Sequence, residues 1–212
     1  MPSLEALLIF TVAALVMNIS PGPSNFYVMA RSISQGSRAG VIAALGLASG
    51  AMIHSAAAAF GVSALFHSSA LAFSILKWVG AAYLIWLGLQ HWRALKQAIS
   101  FQVAEVQAKS QAKIFRESVL VELLNPKTAF FFLAFLPQFA DPAAGPLAPQ
   151  ILVLGAIVVV TAIPCDLLVA FASGAVSQKL RSAPWISRAQ ERVSGTILLL
   201  LGIGLAVSER GD

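Results

Sequence analysis

Apolar segments long enough to cross a lipid bilayer follow one another along most of this chain of 212 residues. A transmembrane helix needs roughly 17–25 predominantly apolar residues, and six segments meet that requirement. They are residues 4–31, 40–66, 70–90, 114–137, 150–173 and 190–207. Charged residues make up only 11% of the chain, against about 25% in soluble domains. We therefore predict an all-α, polytopic membrane protein with six transmembrane helices in one integral membrane domain, residues 1–212.

The positions of the basic residues predict how the spans are oriented. Of the 14 lysines and arginines, eleven follow the first span or lie around the loops before the fourth and sixth spans. These eleven are Arg31, Arg38, Arg93, Lys96, Lys109, Lys113, Arg116, Lys179, Arg181, Arg188 and Arg192. Because cytoplasmic loops carry the excess of lysine and arginine, both termini are expected outside the cytoplasm. This orientation accounts for the net charge of +5, and we expect no nucleic-acid partner.

Three spans in each half make the second half enter the membrane from the side opposite to the first. Repeat one then covers about 1–92, a cytoplasmic linker about 93–113, and repeat two about 114–212. Each half begins with a span that prolines interrupt and continues with two further apolar spans. We therefore predict two inverted three-helix repeats, in which helices 1 and 4 are broken.

The breaks lie at Ser20-Pro21-Gly22-Pro23 in the first span and at Asn125-Pro126-Lys127 in the fourth. Proline lacks an N–H and its ring crowds the carbonyl four residues earlier, so each motif releases backbone acceptors inside the membrane. The released carbonyls are those of Met17, Ile19 and Glu122. Ser20 and Asn125 are the expected N-caps of the helices that resume. Such breaks are tolerated only where protein or a watery cavity satisfies the freed groups.

The chemistry of the two breaks suits a small anionic or zwitterionic solute. The start of each resumed helix carries unpaired N–H groups and the positive end of the helix dipole, which favour an anionic group. The freed carbonyls would accept hydrogen bonds from an ammonium group. We predict a substrate-binding site from both motifs and a nearby asparagine: Ser20, Pro21, Gly22, Pro23, Asn25, Asn125, Pro126 and Lys127. The alternative is a pair of ordinary proline kinks that neighbouring helices repair.

Ionisable residues inside the spans are the candidates for proton coupling. Asp166 follows Pro164 within the fifth span, where a charge costs about 2.5–3.5 kcal/mol and therefore needs a partner or water. We predict that Asp166 alternates between a protonated state and pairing with the solute or Lys127; the alternative is a permanent structural ion pair with Lys127. Glu122 and His54 are further candidates. Their alternatives are solvation of Glu122 near the cytoplasmic surface and a hydrogen-bonded packing role for His54.

The remaining motifs favour neither an enzyme nor a metal site. Cys165 is the only cysteine, no two histidines have metal-ligand spacing, and neither HExxH nor GxSxG occurs. We therefore expect no cofactor, no metal and no catalytic residue. Gly46 and Gly50, four residues apart, favour close helix packing, within one chain or in a homo-oligomer. An intramembrane enzyme, a channel and a membrane scaffold without carrier activity stay open as alternatives to a carrier.

Five sequence stretches, taken in order, resemble the LysE/RhtB family of bacterial amino-acid efflux proteins over essentially the whole chain. They are Ser20-Pro21-Gly22-Pro23, Gly36-Ser37-Arg38-Ala39-Gly40, Lys77-Trp78-Val79-Gly80-Ala81-Ala82-Tyr83-Leu84 with Gly88, Asn125-Pro126-Lys127 and Phe135-Leu136-Pro137-Gln138-Phe139. The chain is most similar to the homoserine, homoserine-lactone and threonine exporters, in which His54 and Asp166 also have counterparts. The resemblance implies an inner-membrane protein with periplasmic termini that exports a small amino acid or a derivative and draws energy from the proton gradient.

Overall fold

The computed structural model describes residues 1–20, 22–94, 107–182 and 184–207. Over these residues the chain is helical and forms no strand, so the predicted all-α class is confirmed. The helices are α1 (Leu4–Ile19), α2 (Pro23–Gln35), α3 (Ser37–Ser68), α4 (Ala70–Ala94), α5 (Gln111–Leu123), α6 (Pro126–Phe130), α7 (Leu147–Ser182) and α8 (Pro184–Val207). Between α6 and α7 come a π-helical turn (Phe131–Phe135) and two 3₁₀ turns (Leu136–Phe139 and Pro142–Ala144).

Membrane-spanning segments are assigned from length and hydropathy. Two described segments are long and apolar enough by themselves, Ser37–Gly61 in α3 and Leu147–Ser173 in α7. Two bent pairs qualify when each is counted as one span: α1 with α2, bent by 49°, and α5 with the helical run Pro126–Phe139, bent by 50°. The described residues thus provide two to four spans, and both bends lie at the predicted proline motifs. α4 and α8 occupy the predicted third and sixth segments without meeting this criterion.

The first break is wider than the sequence predicts. α1 ends at Ile19, and Ser20 is its C-cap. α2 begins at Pro23, whose fixed φ suits the first helical position, with Gly22 before it in an extended conformation. The expectation that Ser20 caps the resumed helix is therefore wrong: Ser20 closes α1, because the break takes up the residues between Ile19 and Pro23. Pro21 lies outside the described residues.

The second break follows the predicted pattern. Asn125 is the N-cap of α6: its Oδ1 accepts a hydrogen bond from the Lys127 N–H (3.1 Å), and Pro126 is the first helical residue. Pro126 cannot donate to the carbonyl of Glu122, and that oxygen accepts a hydrogen bond from the Asn125 N–H instead (3.1 Å). α5 and α6 are therefore separate half-helices joined by a tight, hydrogen-bonded turn.

The two halves of the chain pack against each other reciprocally. α3 of the first half lies against α7 of the second half, and α4 of the first half lies against α8 of the second half. α1 and α2 pack on α7, whereas α5 packs on α3. The broken helix of each half thus lies against the central helix of the other half. The largest buried apolar cluster includes Phe10, Phe131, Phe132 and Leu154, and this packing brings the two proline breaks together.

Glycines allow close helix contacts at two interfaces. Between α3 and α5, a β-carbon on Gly46 would lie 2.6 Å from the Phe115 carbonyl oxygen, and one on Gly50 would lie 2.7 Å from Glu122 Cβ. α4 and α8 approach each other in the same way at Gly88, Gly195 and Gly202. The packing role predicted for Gly46 and Gly50 is therefore confirmed within one chain.

Large apolar side chains cover the outer surface of the protein. On α1, the side chains of Leu4, Leu8, Val12 and Ile19 are exposed, and α3 and α7 expose further ones: Met52, Phe60, Val160, Leu168 and Phe171. Apolar patches of this kind are rare on soluble monomers. Lipid tails, by contrast, are as apolar as these side chains. The exposed surface therefore fits a protein embedded in a bilayer.

Candidate functional site

Residues from the two proline breaks contact each other directly. The Ser24 hydroxyl donates to the carboxylate of Glu122, and Asn125 Nδ2 donates to Ser24 Oγ (2.9 Å). Ser24 lies at the start of α2 and Glu122 at the end of α5, so hydrogen bonds join a half-helix of the first half of the chain to a half-helix of the second half. Glu122 is 7% exposed. The Glu122 carboxylate is therefore held inside the protein, in contact with Ser24, rather than exposed on its outer surface.

Lys127 reaches from α6 to the end of α1. Its ammonium donates to the carbonyl oxygens of Ser20 (2.7 Å) and Met17 (3.2 Å). The Met17 carbonyl is one of those that the first proline motif releases, so the chain's own ammonium occupies a freed acceptor. Gly22 makes room for this contact, because a β-carbon there would lie 3.1 Å from Lys127 Nζ. Lys127 itself is 7% exposed.

Asp166, on α7, is buried and lines a cavity together with Glu122 and Lys127. Lys127 interacts electrostatically with both Glu122 and Asp166. Within the described part of the chain, however, no direct ion pair or hydrogen bond joins Asp166 to Lys127, whose ammonium donates to backbone oxygens instead. The permanent ion pair that the sequence left as an alternative is therefore not formed in this structure.

His54, the third candidate for proton coupling, contacts the backbone of Glu122. Its Nε2 is 3.1 Å from the Glu122 carbonyl oxygen, so this nitrogen must carry the proton of the hydrogen bond. The imidazole is stacked on Phe132, with 5.8 Å between the ring centroids. His54 is therefore hydrogen-bonded and packed against an aromatic ring in this structure, and it helps to satisfy the carbonyl that Pro126 releases.

A small cavity of about 30 Å³ lies where these groups meet, which is room for about one or two water molecules. Its polar lining consists of Asn18, Ser24, Asn25, Glu122, Asn125, Lys127, Thr128 and Asp166. Its apolar lining consists of Met17, Leu47, Ala48, Ala51 and Ala162. Charged groups and small apolar side chains thus share one small chamber. This lining matches the chemistry of a solute with an ammonium group and a short side chain, and the chamber would have to widen to admit one.

Most of the predicted site residues are brought together around this cavity. Five of them line it: Asn25, Asn125, Lys127, Glu122 and Asp166. Four others support it: Ser20 and Gly22 contact Lys127, while Pro23 and Pro126 begin the two half-helices. His54 lies outside the lining, and Pro21 lies outside the described residues. In the described ranges, no group of three or more histidine, cysteine, aspartate and glutamate residues could hold a metal ion.

Several lining residues were missed by the sequence analysis. Ser24 directly follows the first proline motif, and that position was a usable signal. Asn18 lines the cavity just before the first break, and its Nδ2 donates to the Val158 carbonyl (3.1 Å). Ala48 and Ala51 carried no signal, because alanines in an apolar helix look alike whether they face a cavity or another helix.

A second polar cluster joins α2 to the middle of α5 and to Lys109 just before α5. Glu117 accepts hydrogen bonds from the hydroxyl of Tyr27 (2.9 Å), from Arg31 Nη2 (3.4 Å) and from Lys109 Nζ (2.7 Å). Tyr27 and Arg31 follow Ser24 at helical spacing along α2. The cluster therefore continues the polar contact between the two helices beyond the cavity and holds them together there.

Removing Glu117 is expected to lower the stability of the protein. Glu117→Ala leaves the Arg31 side chain, which is 5% exposed, without its carboxylate partner. Breaking a buried pair in this way costs about 3–5 kcal/mol. Because the Glu117 side chain is 27% exposed and water screens the pair, we expect a loss of about 1–3 kcal/mol. Denaturant or thermal unfolding of the purified protein in detergent measures this loss.

Two further variants distinguish the effect of the ion pair on stability from the effect of removing any charged side chain. Arg31→Met combined with Glu117→Leu is expected to recover much of the stability, because no unpaired charge stays buried. Arg38→Met changes an exposed arginine near the start of α3, and we expect it to stay within about 0.5 kcal/mol of the wild type. Equal stability of Glu117→Ala and the wild type would contradict this account of the cluster.

Comparison with known proteins identifies a consistent group of relatives. The family model described as LysE type translocator matches residues 15–209. A homoserine/homoserine lactone efflux protein of Salmonella typhimurium is 37% identical over 202 residues, which cover 93% of this chain and 94% of that protein. An uncharacterized membrane protein of Vibrio cholerae is 34% identical over 205 residues, and a leucine efflux protein of Klebsiella pneumoniae is 29% identical over 134 residues, 63% of each chain. The Vibrio alignment covers 95% of this chain and 97% of that protein. No solved structure matches the chain.

Proposed function

This chain belongs to the LysE type translocator family, and from that premise we propose that it is a secondary-active exporter of small amino acids or their derivatives. Relatives named for the efflux of homoserine and homoserine lactone, or of leucine, support amino-acid export. The solutes we propose are homoserine, homoserine lactone, threonine or a similar molecule. The carrier would move them out of the cytoplasm in exchange for protons.

One observation carries this proposal: a buried ammonium and two buried carboxylates surround a small cavity between two broken helices. Each buried ion costs several kcal/mol even after the protein relaxes, and apolar residues often replace such groups without loss of stability. A purely structural role therefore explains the cluster poorly. When Lys127, Glu122 and Asp166 are all ionised, the cavity carries one excess negative charge, and a solute ammonium group would neutralise it.

We propose that different residues around the cavity bind the different parts of the solute. The ammonium group pairs with Asp166, whose carboxylate has no hydrogen bond to another side chain in the described part of the chain. The carboxylate or lactone carbonyl accepts hydrogen bonds from the amide of Asn25 and is attracted by the Lys127 ammonium. A short side chain packs against Ala48 and Ala51 of α3. Recognition of polar groups by a few placed partners in an otherwise apolar pocket is typical of small-molecule sites.

Proton coupling follows if Asp166 binds either a proton or the solute ammonium, but not both. Protons are more concentrated outside the cell, so protonation of Asp166 from that side would displace the solute outward. Loss of the proton to the cytoplasm would then regenerate the carboxylate that binds the next solute. A ligand can shift a two-state carrier only through different affinities for its two states, and this competition provides the difference.

The membrane arrangement we propose is the one expected from the sequence: six spans in two inverted repeats, in the bacterial inner membrane, with both termini in the periplasm. The reciprocal packing of α3 with α7 and of α4 with α8 supports such a repeat. So does the position of the site at the contact of two discontinuous helices, which is where carriers built from inverted repeats place their binding sites.

Transport by purified protein in liposomes tests the proposed function. Labelled homoserine, homoserine lactone, threonine and leucine are loaded separately, and an inward proton gradient is imposed. We expect saturable efflux of at least one of them, faster with the gradient than after a protonophore has collapsed it. Empty liposomes and liposomes treated with the protonophore are the controls.

Each alternative function gives a different result in the same liposomes. A channel would give flux that does not saturate with solute concentration, and an intramembrane enzyme would change the chemical identity of the label. A membrane scaffold would leave every solute inside. Absence of flux for all four solutes would contradict the proposed function.

A further inference from the structure

The C-terminal end of α1 has the chemistry of a cation site. The carbonyl oxygens of Met17 and Ser20 both bind one ammonium there, at the helix end where the dipole is equivalent to about half a negative charge. In membrane carriers, unwound carbonyls and half-helix C-termini are the groups that coordinate monovalent cations. Glu122 and Asp166 add negative charge close by.

The occupant of this site is the chain's own ammonium. Lys127 belongs to α6, in the other half of the chain, and enters the broken end of α1 beside Gly22. Gly22 lacks the β-carbon that would lie 3.1 Å from Nζ and 3.3 Å from Cε of Lys127. The space for a cation is therefore formed by the α1–α2 break, whereas the cation itself is the side chain of Lys127 on α6.

A further oxygen at the same place lacks a hydrogen-bond partner. The side-chain oxygen of Ser20 is buried and accepts or donates no hydrogen bond to any described residue, and Ser20 is 2% exposed. Buried polar atoms are normally paired, so an orphan in a native structure calls for an explanation such as a bound ion or water. This oxygen belongs to the same residue whose carbonyl binds Lys127.

We propose that the end of α1 is a binding site for a monovalent cation, lined by the Met17 and Ser20 carbonyls, and that Lys127 is its built-in occupant. A tethered ammonium replaces the free cation, because its binding is intramolecular and avoids the entropy cost of capturing an ion from solution. Without the lysine side chain, the site keeps its negative electrostatic potential and binds Na⁺, K⁺ or a small primary alkylammonium. Only the transport consequence of this inference rests on the proposed function.

Thermal unfolding of Lys127→Ala in detergent tests the site without any transport. The midpoint is followed by tryptophan fluorescence in equal concentrations of choline, sodium, potassium or propylammonium chloride. Choline cannot donate hydrogen bonds from its ammonium, so it serves as the reference salt. We expect the variant to unfold at a lower temperature than the wild type in choline. Propylammonium or one of the metal ions should raise its midpoint by about 3–6 °C at ten times the dissociation constant.

The controls are the wild type and Lys77→Ala, which removes a lysine on α4 instead. Both proteins keep Lys127 in the site, so the unfolding midpoint of each is expected not to change among the four salts. Equal midpoints of Lys127→Ala in all four salts would overturn the proposal. If Lys127→Ala folds only when it is purified in propylammonium or one metal ion, the proposal is supported; if it folds in none of the salts, the proposal fails, since a free cation should have refilled the site.

Liposome flux separates this inference from the proposed function. If the wild type exports a solute, Lys127→Ala is expected to export little or none in choline. In the cation that stabilises the variant, its export rate is expected to be at least about tenfold higher than in choline. A stabilising cation together with no export by the wild type would leave the cation site standing and contradict the proposed function. Export by Lys127→Ala at the wild-type rate in choline would contradict the role of Lys127 as the necessary occupant.

Discussion

Asp166→Asn is expected to abolish export driven by the proton gradient. Asparagine has nearly the same shape as aspartate, but it neither carries a negative charge nor takes up a proton between pH 5 and 8. Hydrogen bonds to a charged group are worth about 1.5–3 kcal/mol, so loss of the Asp166 charge should weaken binding of an ammonium solute roughly 10- to 100-fold. Liposome efflux with and without the imposed gradient measures both effects.

The matched control for Asp166→Asn is Asp141→Asn. Asp141 caps the 3₁₀ turn Pro142–Ala144, and its side chain does not line the cavity of Asp166, so its replacement is expected to leave the gradient effect intact. If Asp166→Asn exports solute at the wild-type rate and still responds to the gradient, then neither solute binding nor proton coupling depends on this carboxylate.

Gly50→Val is expected to lower the stability of the protein and to stop transport. A β-carbon at position 50 would lie 2.7 Å from Glu122 Cβ and 3.0 Å from the Val119 carbonyl oxygen, so α3 and α5 must move apart. Overpacking of this kind typically costs about 1–3 kcal/mol, which corresponds to roughly 2–12 °C in the unfolding midpoint of a chain of this size. The movement also carries Glu122 away from Ser24, so we expect transport to fall with stability.

Gly61→Val provides the same substitution in the same helix without the contact. Nothing in the described structure lies within 4 Å of a β-carbon at position 61, so we expect its unfolding midpoint and its transport rate to stay close to those of the wild type. Gly50→Val with an unchanged midpoint would show that α3 and α5 do not approach as closely as described. A lowered midpoint with full transport would show that the site tolerates displacement of Glu122.

Part of the candidate site could be predicted because local backbone chemistry controls it. Proline cannot donate a hydrogen bond wherever it lies in the fold, so the breaks at Pro23 and Pro126 follow from residue identity. Asn125 caps α6 for an equally local reason, since its side chain reaches the N–H two residues later. The corresponding prediction for Ser20 was wrong because two prolines and a glycine lengthen the first break, and the helix resumes at the second proline.

Contacts between distant parts of the chain could not be predicted from local patterns. The sequence indicated that an ammonium group would meet the carbonyls of the first break, but it contained no information that this ammonium is that of Lys127, more than 100 residues away. The same limit applies to Ser24 with Glu122 and to His54 with the Glu122 carbonyl. Such pairs depend on how the two halves pack.

By itself, the sequence determined that this protein is helical and apolar, that two of its helices break at proline motifs, and that a few ionisable residues lie within apolar segments. Residue composition, spacing and the missing N–H of proline are sufficient for those conclusions. The tertiary structure alone decided which groups satisfy the freed carbonyls and which stay available around the cavity. Hydrogen bonds and charge pairs act over a few ångströms, and only the packing of α1, α2, α5 and α6 against α3 and α7 brings their partners within that distance.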